Sequence, residues 1–483
     1  MKKLLLSGII AFGLTASIQA QEYTTPGDGT VWTLVKLAEA GTYGVEKYSD
    51  PLANTIGPAY VFHGELTIAE GDVFTLDARS ILRMGDGARI NVNGEAVLYE
   101  NKLLSTSDPV SVITRHEETD EPYGIVVNSE KAVLAANLIV EYAGLRFSSN
   151  DVTIEDCTFR YHNAKSASYA VAFGTTNSTC KVVDCTFEEC QRAAIGSGAN
   201  IPVNLTVENC QFVKNGTANM NTPQLNLTVG EQVTIRGCEI QGDPEHTMVG
   251  GLVVANMVGI KGDIKTLIED NNIYDNRYGV ALYVTQNAIV RNNTIKDNNN
   301  EVNPMNGGSG INIYDPYYSQ NTVITGNWIE GNLWGITVVG GNEINIGKTD
   351  DPTADDYNPG QNTFLNNGFD GNVYDLYNNS TNTVYAQGNI WKTATAQTRE
   401  AIEDCIFHQN DNASLGEVIF MPFAEDTGIA ALHETEASED VFTLDGMRID
   451  NLSNAPRGIV VVKKNGQAKK LLSRYFFHHE LEN

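Results

Sequence analysis

The octet EDNNIYDN, Glu269 to Asn276, recurs along this chain with its asparagine and its central apolar residue held in place. Copies are EDCTFRYH (155–162), VDCTFEEC (183–190), ENCQFVKN (208–215), RGCEIQGD (236–243), RNNTIKDN (291–298), TGNWIEGN (325–332) and GQNTFLNN (360–367), with a weaker AQGNIW around Asn389. The third position reads Cys157, Cys185, Cys210, Cys238, Asn271, Asn293, Asn327, Asn362. The fifth reads Phe159, Phe187, Phe212, Ile240, Ile273, Ile295, Ile329, Phe364. Ile or Val precedes the first seven octets, as at Ile154, Ile268 and Val290. An internal repeat constrains a fold more than any composition does, because each unit must bury its apolar face against its neighbours.

Successive copies are 28, 25, 28, 33, 22, 34 and 35 residues apart. The shortest spacing is the bare unit, and the others carry inserted loops. A helical solenoid would show a 3.6-residue period. Here short β-branched runs such as VTIEDC, TVITGN and GVALYV are broken by Asn, Asp and Gly, which reads as brief strands with turns between them. Three short strands in about 22 residues make one coil of a parallel β-helix, whose strands stack about 4.8 Å apart.

That geometry assigns the octet. Ile268 and Ile273 point inward. Asp270 sits at a bend, where Asp, Asn and Gly tolerate a left-handed backbone. Asn271 also points inward, and its amide bonds to its copy on the next coil and to local carbonyls. Cysteine takes this place in four consecutive copies. In-register thiols run parallel, so a stack of free, buried cysteines is expected rather than disulfides or a tetrahedral zinc site. Cys180, Cys190 and Cys405 lie outside this ladder.

The remaining text supplies the ends. Residues 1–20, MKKLLLSGIIAFGLTASIQA, join a basic start to an apolar run too short to span a membrane, and read as a signal peptide cut before Gln21. Residues 21–58, with helical character at VWTLVKLAEAG, are expected to cap the solenoid, whose open end would otherwise be an aggregating edge. Residues 59–423 form the β-helix, with further coils lacking the ladder between Tyr60 and Glu100. A short helix near Ala396 to Asp404 and the strand Val418 to Pro422 close it. Residues 424–440 read as an acidic linker, and 441–483 as a small β-rich tail with turns at Asp445-Gly446 and Asn465-Gly466.

The octets, PGQNTFLNNGFDGNVYDLYNNSTNTVYAQGNIW (359–391) and LGEVIFMPF (415–423) are similar to the right-handed parallel β-helix proteins that include pectate lyases and NosD-like periplasmic proteins. The likeness extends to secreted β-helix proteins of the Bacteroidetes. The last segment resembles that phylum's C-terminal sorting tails, with Met447 and Val460 where Arg and Tyr recur. The resemblance implies an all-β, pectate-lyase-like right-handed solenoid. It implies no single activity, because the fold hosts lyases, hydrolases and adhesins.

Charge excludes one class of partner. The chain has 32 Lys+Arg against 60 Asp+Glu, a net of −28 that becomes −30 without the signal. Nucleic-acid binding needs basic patches and is not expected. A polyuronate lyase would use acids to hold Ca²⁺ and a Lys or Arg to remove a proton. Asp275 and Asp297 on adjacent coils are the candidate calcium ligands, with Lys296 and Arg277 the candidate catalytic cations and Arg291 nearby. The polygalacturonase-type motifs Asn-Thr-Asp, Gly-His-Gly and Arg-Ile-Lys are absent, so a lyase fits better than a glycoside hydrolase. The eight histidines show no metal-ligand spacing, and no Met or His cluster supports the copper that a NosD-like resemblance would suggest.

For binding, Tyr314, Tyr317, Tyr318, Trp328 and Trp334 fall within one or two coils and are the candidate sugar-stacking residues. The reading is an exported monomer, secreted, periplasmic or on the outer cell surface, with no transmembrane helix, contacting polysaccharide along its flank. It requires no cofactor, with Ca²⁺ as the possible exception. A Ca²⁺-dependent polysaccharide lyase and a non-catalytic adhesin or stalk are the alternatives.

Overall fold

A computed structural model describes residues 21–99, 111–163, 169–260, 262, 264–285, 287–317 and 321–425, with the backbone of 440–443, 448–449, 458–464 and 467–473. The expected signal peptide, most of the expected linker, the two tail turns and Tyr318 lie outside the described residues.

The chain winds as a parallel β-helix with three faces. In one coil, Lys265–Glu269 lies on face B, Asn272–Tyr274 on face C and Val280–Tyr283 on face A, before Ala288–Arg291 returns to face B. Pairing between coils is in register: Leu267, Ile289 and Val323 on face B; Ile273, Ile295 and Ile329 on face C; Leu282, Ile313 and Val338 on face A. Among the described residues, face C is a 14-stranded sheet. Faces A and B merge into one 27-stranded sheet because the strand Thr222–Arg236 runs unbroken through both.

The core follows the octet. Ile268 and Ile273 are fully buried, each contributing roughly 1.5–3 kcal/mol of apolar transfer. Phe159, Phe187 and Phe212 stack with centroids 4.9 and 5.0 Å apart, which is the coil rise read directly from side chains. Asp270 and Asn292 hold the left-handed bend at φ 57° and 56°. A second such bend closes the octet at Asp275 and Asp297, at φ 56° and 54°. Gly331 takes the place of Asp297 one coil on, at φ 67°; a Cβ there would collide with Asp297 Oδ1.

The amide ladder forms as the octet demands. Nδ2 of Asn271, Asn293, Asn327 and Asn362 each donates to Oδ1 of the next member at 2.9 Å, ending on Asn389. All seven cysteines are buried and free. In place of the amide, Cys238 Sγ donates to the Arg236 carbonyl at 3.3 Å.

A second ladder occupies the octet's eighth position. Asn276 donates to Asn298, Asn298 to Asn332 and Asn332 to Asn367, each at 3.0 Å. Where the octet offers Asp243 instead, Gln224 reaches in from the long strand, accepting from Asn215 at 2.9 Å and donating to Asn276 at 3.0 Å.

Both ends are closed. The helix Leu34–Ala40, N-capped by Thr33, buries Leu34 and Leu37. Parallel pairing starts already at Glu22–Thr24 and Val31–Trp32, so this segment is part coil and part plug. Buried Asp72 gathers the Gly27, Gly29 and Thr30 N–H groups and the Trp32 indole. At the other end the helix Arg399–Glu403 buries Ile402, and His408 accepts from Val418 N while facing Glu403 at 2.7 Å. In the tail, Asp440–Thr443, Arg448–Ile449, Gly458–Lys464 and Gln467–Ser473 pair as a four-stranded antiparallel sheet.

Candidate functional site

The second bend, between faces C and A, carries the acid–base candidates. Asp275 and Asp297 occupy it on adjacent coils. Burial raises the Asp275 carboxyl, the Asp297 charge raises it further, and Lys296 pulls it partly back. Asp297 is likewise raised, by burial against Lys296, with Glu330 adding to the rise. Lys296 lies on face C at the end of Thr294–Lys296, its Nζ 5.8 Å from the Tyr274 ring centre. Asp275, Asp297 and Lys296 therefore form one electrostatic unit.

Two other cations are turned elsewhere. The Arg277 guanidinium donates to Asn221 Oδ1 at 2.8 Å and to the Asn306 carbonyl. It ties together two loops of the C-to-A corner. Arg291 belongs to face B, where it and Arg236 clamp the buried Glu269, with Arg291 Nε 2.6 Å from the carboxylate. Among the described residues, no group of three or more His, Cys, Asp or Glu side chains stands ready to hold a metal ion. Asp275 and Asp297 would supply two carboxylates of the roughly six to eight oxygens that calcium takes.

The aromatic candidates divide between two faces. Trp328 lies on face C, in register with Thr294, while Glu330 is the register partner of Lys296. Its indole donates to Glu330 at 2.7 Å, and Lys392 sits 5.4 Å above its ring. Tyr274, not singled out from sequence, is the register partner of Lys296 and donates to Glu239 at 2.6 Å.

Tyr314 and Trp334 lie on face A. Tyr314 stacks on its register partner Tyr283 at 5.0 Å and 22°. It is 37% exposed, and Tyr317, in the turn that follows, is 74% exposed. Trp334 stacks on Tyr377 at 5.1 Å, contacts Phe369 and Tyr374, and donates to the Pro304 carbonyl at 3.0 Å. Ala281, Asn312, Thr337 and Tyr377 run in one register column beside the Tyr283–Tyr314 stack. Face A thus sets half-buried Ala281 and Asn312 beside aromatic rings, with Thr337 buried and bonded to Ser309. Tyr283 was invisible as a partner of Tyr314 in the sequence, because the register that pairs them spans a loop, and Tyr377, in register with Thr337, meets Trp334 only through its ring.

Against known families, the chain matches the right handed beta helix region model at residues 68–256 and 172–350, which together span more than half of it. The chain belongs to the right-handed β-helix family. No curated protein matches the sequence. Among solved structures, this β-helix is similar to the periplasmic alginate epimerase AlgG, at 12% identity and a TM-score of 0.39 over 81% of this chain and 83% of that one. A mutant of the same epimerase aligns at 13% identity and a TM-score of 0.40, covering 81% and 84%.

Proposed function

We propose that this β-helix protein works outside the cytoplasmic membrane and contacts polysaccharide along face A. The carrying observation is the stacked pair Tyr283–Tyr314, with Tyr314 and Tyr317 exposed beside the Ala281–Asn312–Thr337 column. Aromatic rings offer an apolar face at low entropic cost. The C–H faces of a pyranose pack on such rings, while neighbouring amides and hydroxyls meet its hydroxyl groups. The rings lie at several levels along the axis, Tyr283 and Tyr314 on adjacent coils and Tyr377 further on, which suits a polymer better than a single sugar.

A Ca²⁺-dependent polysaccharide lyase is the second reading, favoured by the crowded pair Asp275–Asp297. Their mutual repulsion would be relieved by a bound cation, and Lys296 stands beside them as the proton acceptor such a reaction needs. Face C adds Trp328 and Tyr274 as stacking surfaces. A panel of neutral and acidic polysaccharides, assayed with and without Ca²⁺ for binding and for ultraviolet absorbance of unsaturated uronate, separates the readings. Binding without product supports recognition. New absorbance supports the lyase. Silence in both channels rejects both and leaves a structural stalk or adhesin.

A further inference from the structure

We infer, on the reading of face A as a polysaccharide surface, that Arg146 is the residue by which this face selects an anionic glycan, one whose units carry a carboxylate or a sulfate ester. Arg146 is the outward, half-buried residue of the strand Gly144–Phe147. Through Ala172, Gly196, Asn226 and Val253 it stands in register with the Ala281–Asn312–Thr337 column. Ala281 lies on the fifth coil after it, about 24 Å along the axis. A glycan laid on the Tyr283–Tyr314 stack and running along this column reaches the guanidinium.

Charge is spread unevenly over the three faces. The chain has 60 Asp+Glu against 32 Lys+Arg. Strands of face B carry Glu155, Glu208 and Glu269, and strands of face C carry Glu141, Glu239 and Glu330. Face A differs. From Gly144–Phe147 to Leu376–Asn378, with Thr222 to Thr228 as the long strand's share, its strands hold one acid, Asp315, which is fully buried. Arg146 is the one cation of the same strands. An anionic polymer meets a strand surface there without opposing carboxylates. At physiological ionic strength the acids of the other faces are screened beyond about 8 Å.

The guanidinium is free to take a partner. Among the described residues, no hydrogen bond, ion pair or ring contact engages it. Nearby arginines are committed. Arg89 donates to Asn91 Oδ1 at 2.6 Å, Arg115 lies 3.7 Å over the Tyr142 ring, and Arg160 pairs with Glu141 at 2.5 Å. Gly174, on the next coil, keeps a place open beside Arg146. A Cβ there would lie 2.9 Å from Arg146 Nη2 and 2.8 Å from Ser148 Oγ, so a guanidinium and a hydroxyl border a space that no side chain fills. The Tyr169 ring lies over Gly196 in the same column, where a Cβ would be 2.3 Å from its Cε1. Its hydroxyl donates to the Ser197 carbonyl at 3.2 Å and accepts from Asn226 at 3.3 Å, which fixes the ring. An unpaired guanidinium, an aromatic ring and an amide thus share one column. Arginine's planar fork matches two oxygens of a carboxylate or sulfate at once.

The test is calorimetric titration of the full-length protein with matched polymers. These are polygalacturonate and its carboxyl-reduced form, and chondroitin sulfate with its desulfated and its carboxyl-reduced forms. A charged polymer is expected to bind about tenfold tighter than the form stripped of its anion. Which removal lowers affinity tells carboxylate from sulfate. Arg146→Gln is expected to bring the charged form down to the affinity of the stripped one. Arg146→Lys is expected to keep part of the preference, because the charge remains without the fork. Arg146 has no contact to lose, so thermal melts of both variants should overlay the parent's. Equal binding of charged and stripped forms, or a preference that survives Arg146→Gln, overturns the role of Arg146 and leaves the polysaccharide reading standing. Binding of none of these polymers overturns both.

Discussion

Asn367 Nδ2 donates to Asp375 Oδ1 at 2.9 Å, and this contact ends the second amide ladder on an acid. Thr393 donates to the same oxygen at 3.0 Å, while Oδ2 is buried with no partner. Burial pushes the Asp375 carboxyl up to about 7, against the pull of these hydrogen bonds. An unfolded aspartate titrates near 3.9. The folded state therefore keeps a proton that the unfolded state has released. The stabilisation is complete below about pH 4, declines as pH rises, and is lost above about pH 7. At about 1.4 kcal/mol per unit the swing is about 4 kcal/mol at most. Urea unfolding between pH 4 and 8 should show this decline, and Asp375→Asn should flatten it.

Asn293 is a fully engaged rung of the first ladder, as are Asn327 and Asn362. Its Oδ1 accepts from Asn271 N and Nδ2, and its own Nδ2 donates to Ile268 O, Arg291 O and Asn327 Oδ1. Asn293→Ala strands those groups inside the core, where each unmet partner costs about 1–3 kcal/mol. A loss of several kcal/mol in denaturant unfolding is the expected outcome. An unchanged midpoint would mean the ladder is decorative.

Gly331 and Asp297 are coupled across one coil. Gly331→Ala forces an L-residue into the left-handed region, at about 1–2 kcal/mol, and drives its Cβ into the Asp297 carboxylate. A double-mutant cycle with Asp297→Gly should recover the collision part of that loss and leave the backbone part.

On face A, Tyr314→Ala should weaken glycan binding about tenfold, roughly the 1.4 kcal/mol that one stacking ring supplies, with no change in melting temperature. Trp334→Ala should lower both, because Trp334 also packs Tyr377, Phe369 and Tyr374. Affinity electrophoresis with parallel thermal melts separates the two effects.

If the lyase reading holds, Lys296→Ala and Asp275→Ala abolish unsaturated product, whereas Arg277→Ala acts through its two loop contacts and raises KM more than it lowers kcat. Initial rates over a substrate series decide this.

Much of the solenoid was legible in the octet, because one coil's needs are local. An apolar residue, a left-handed bend and an inward amide recur at fixed offsets, and stacking follows from repetition. The second ladder carried its own signal at the eighth position, in Asn276, Asn298, Asn332 and Asn367, but Gln224 could not be found this way. It enters from another strand to fill a rung that the octet leaves empty.

The candidate site was legible only in residue types. Trp328 and Trp334 are six residues apart and emerge on different faces, because one bend separates them. Arg277 and Arg291 sit near the carboxylates in the text and are committed to other partners in space. The sequence alone determined the coil, its inward positions and its axial repeat, since these depend on spacing within a few residues. Which outward side chains share a face was decided by tertiary structure, because loops of unequal length set the register between coils and only the closed turns of the solenoid bring its columns together.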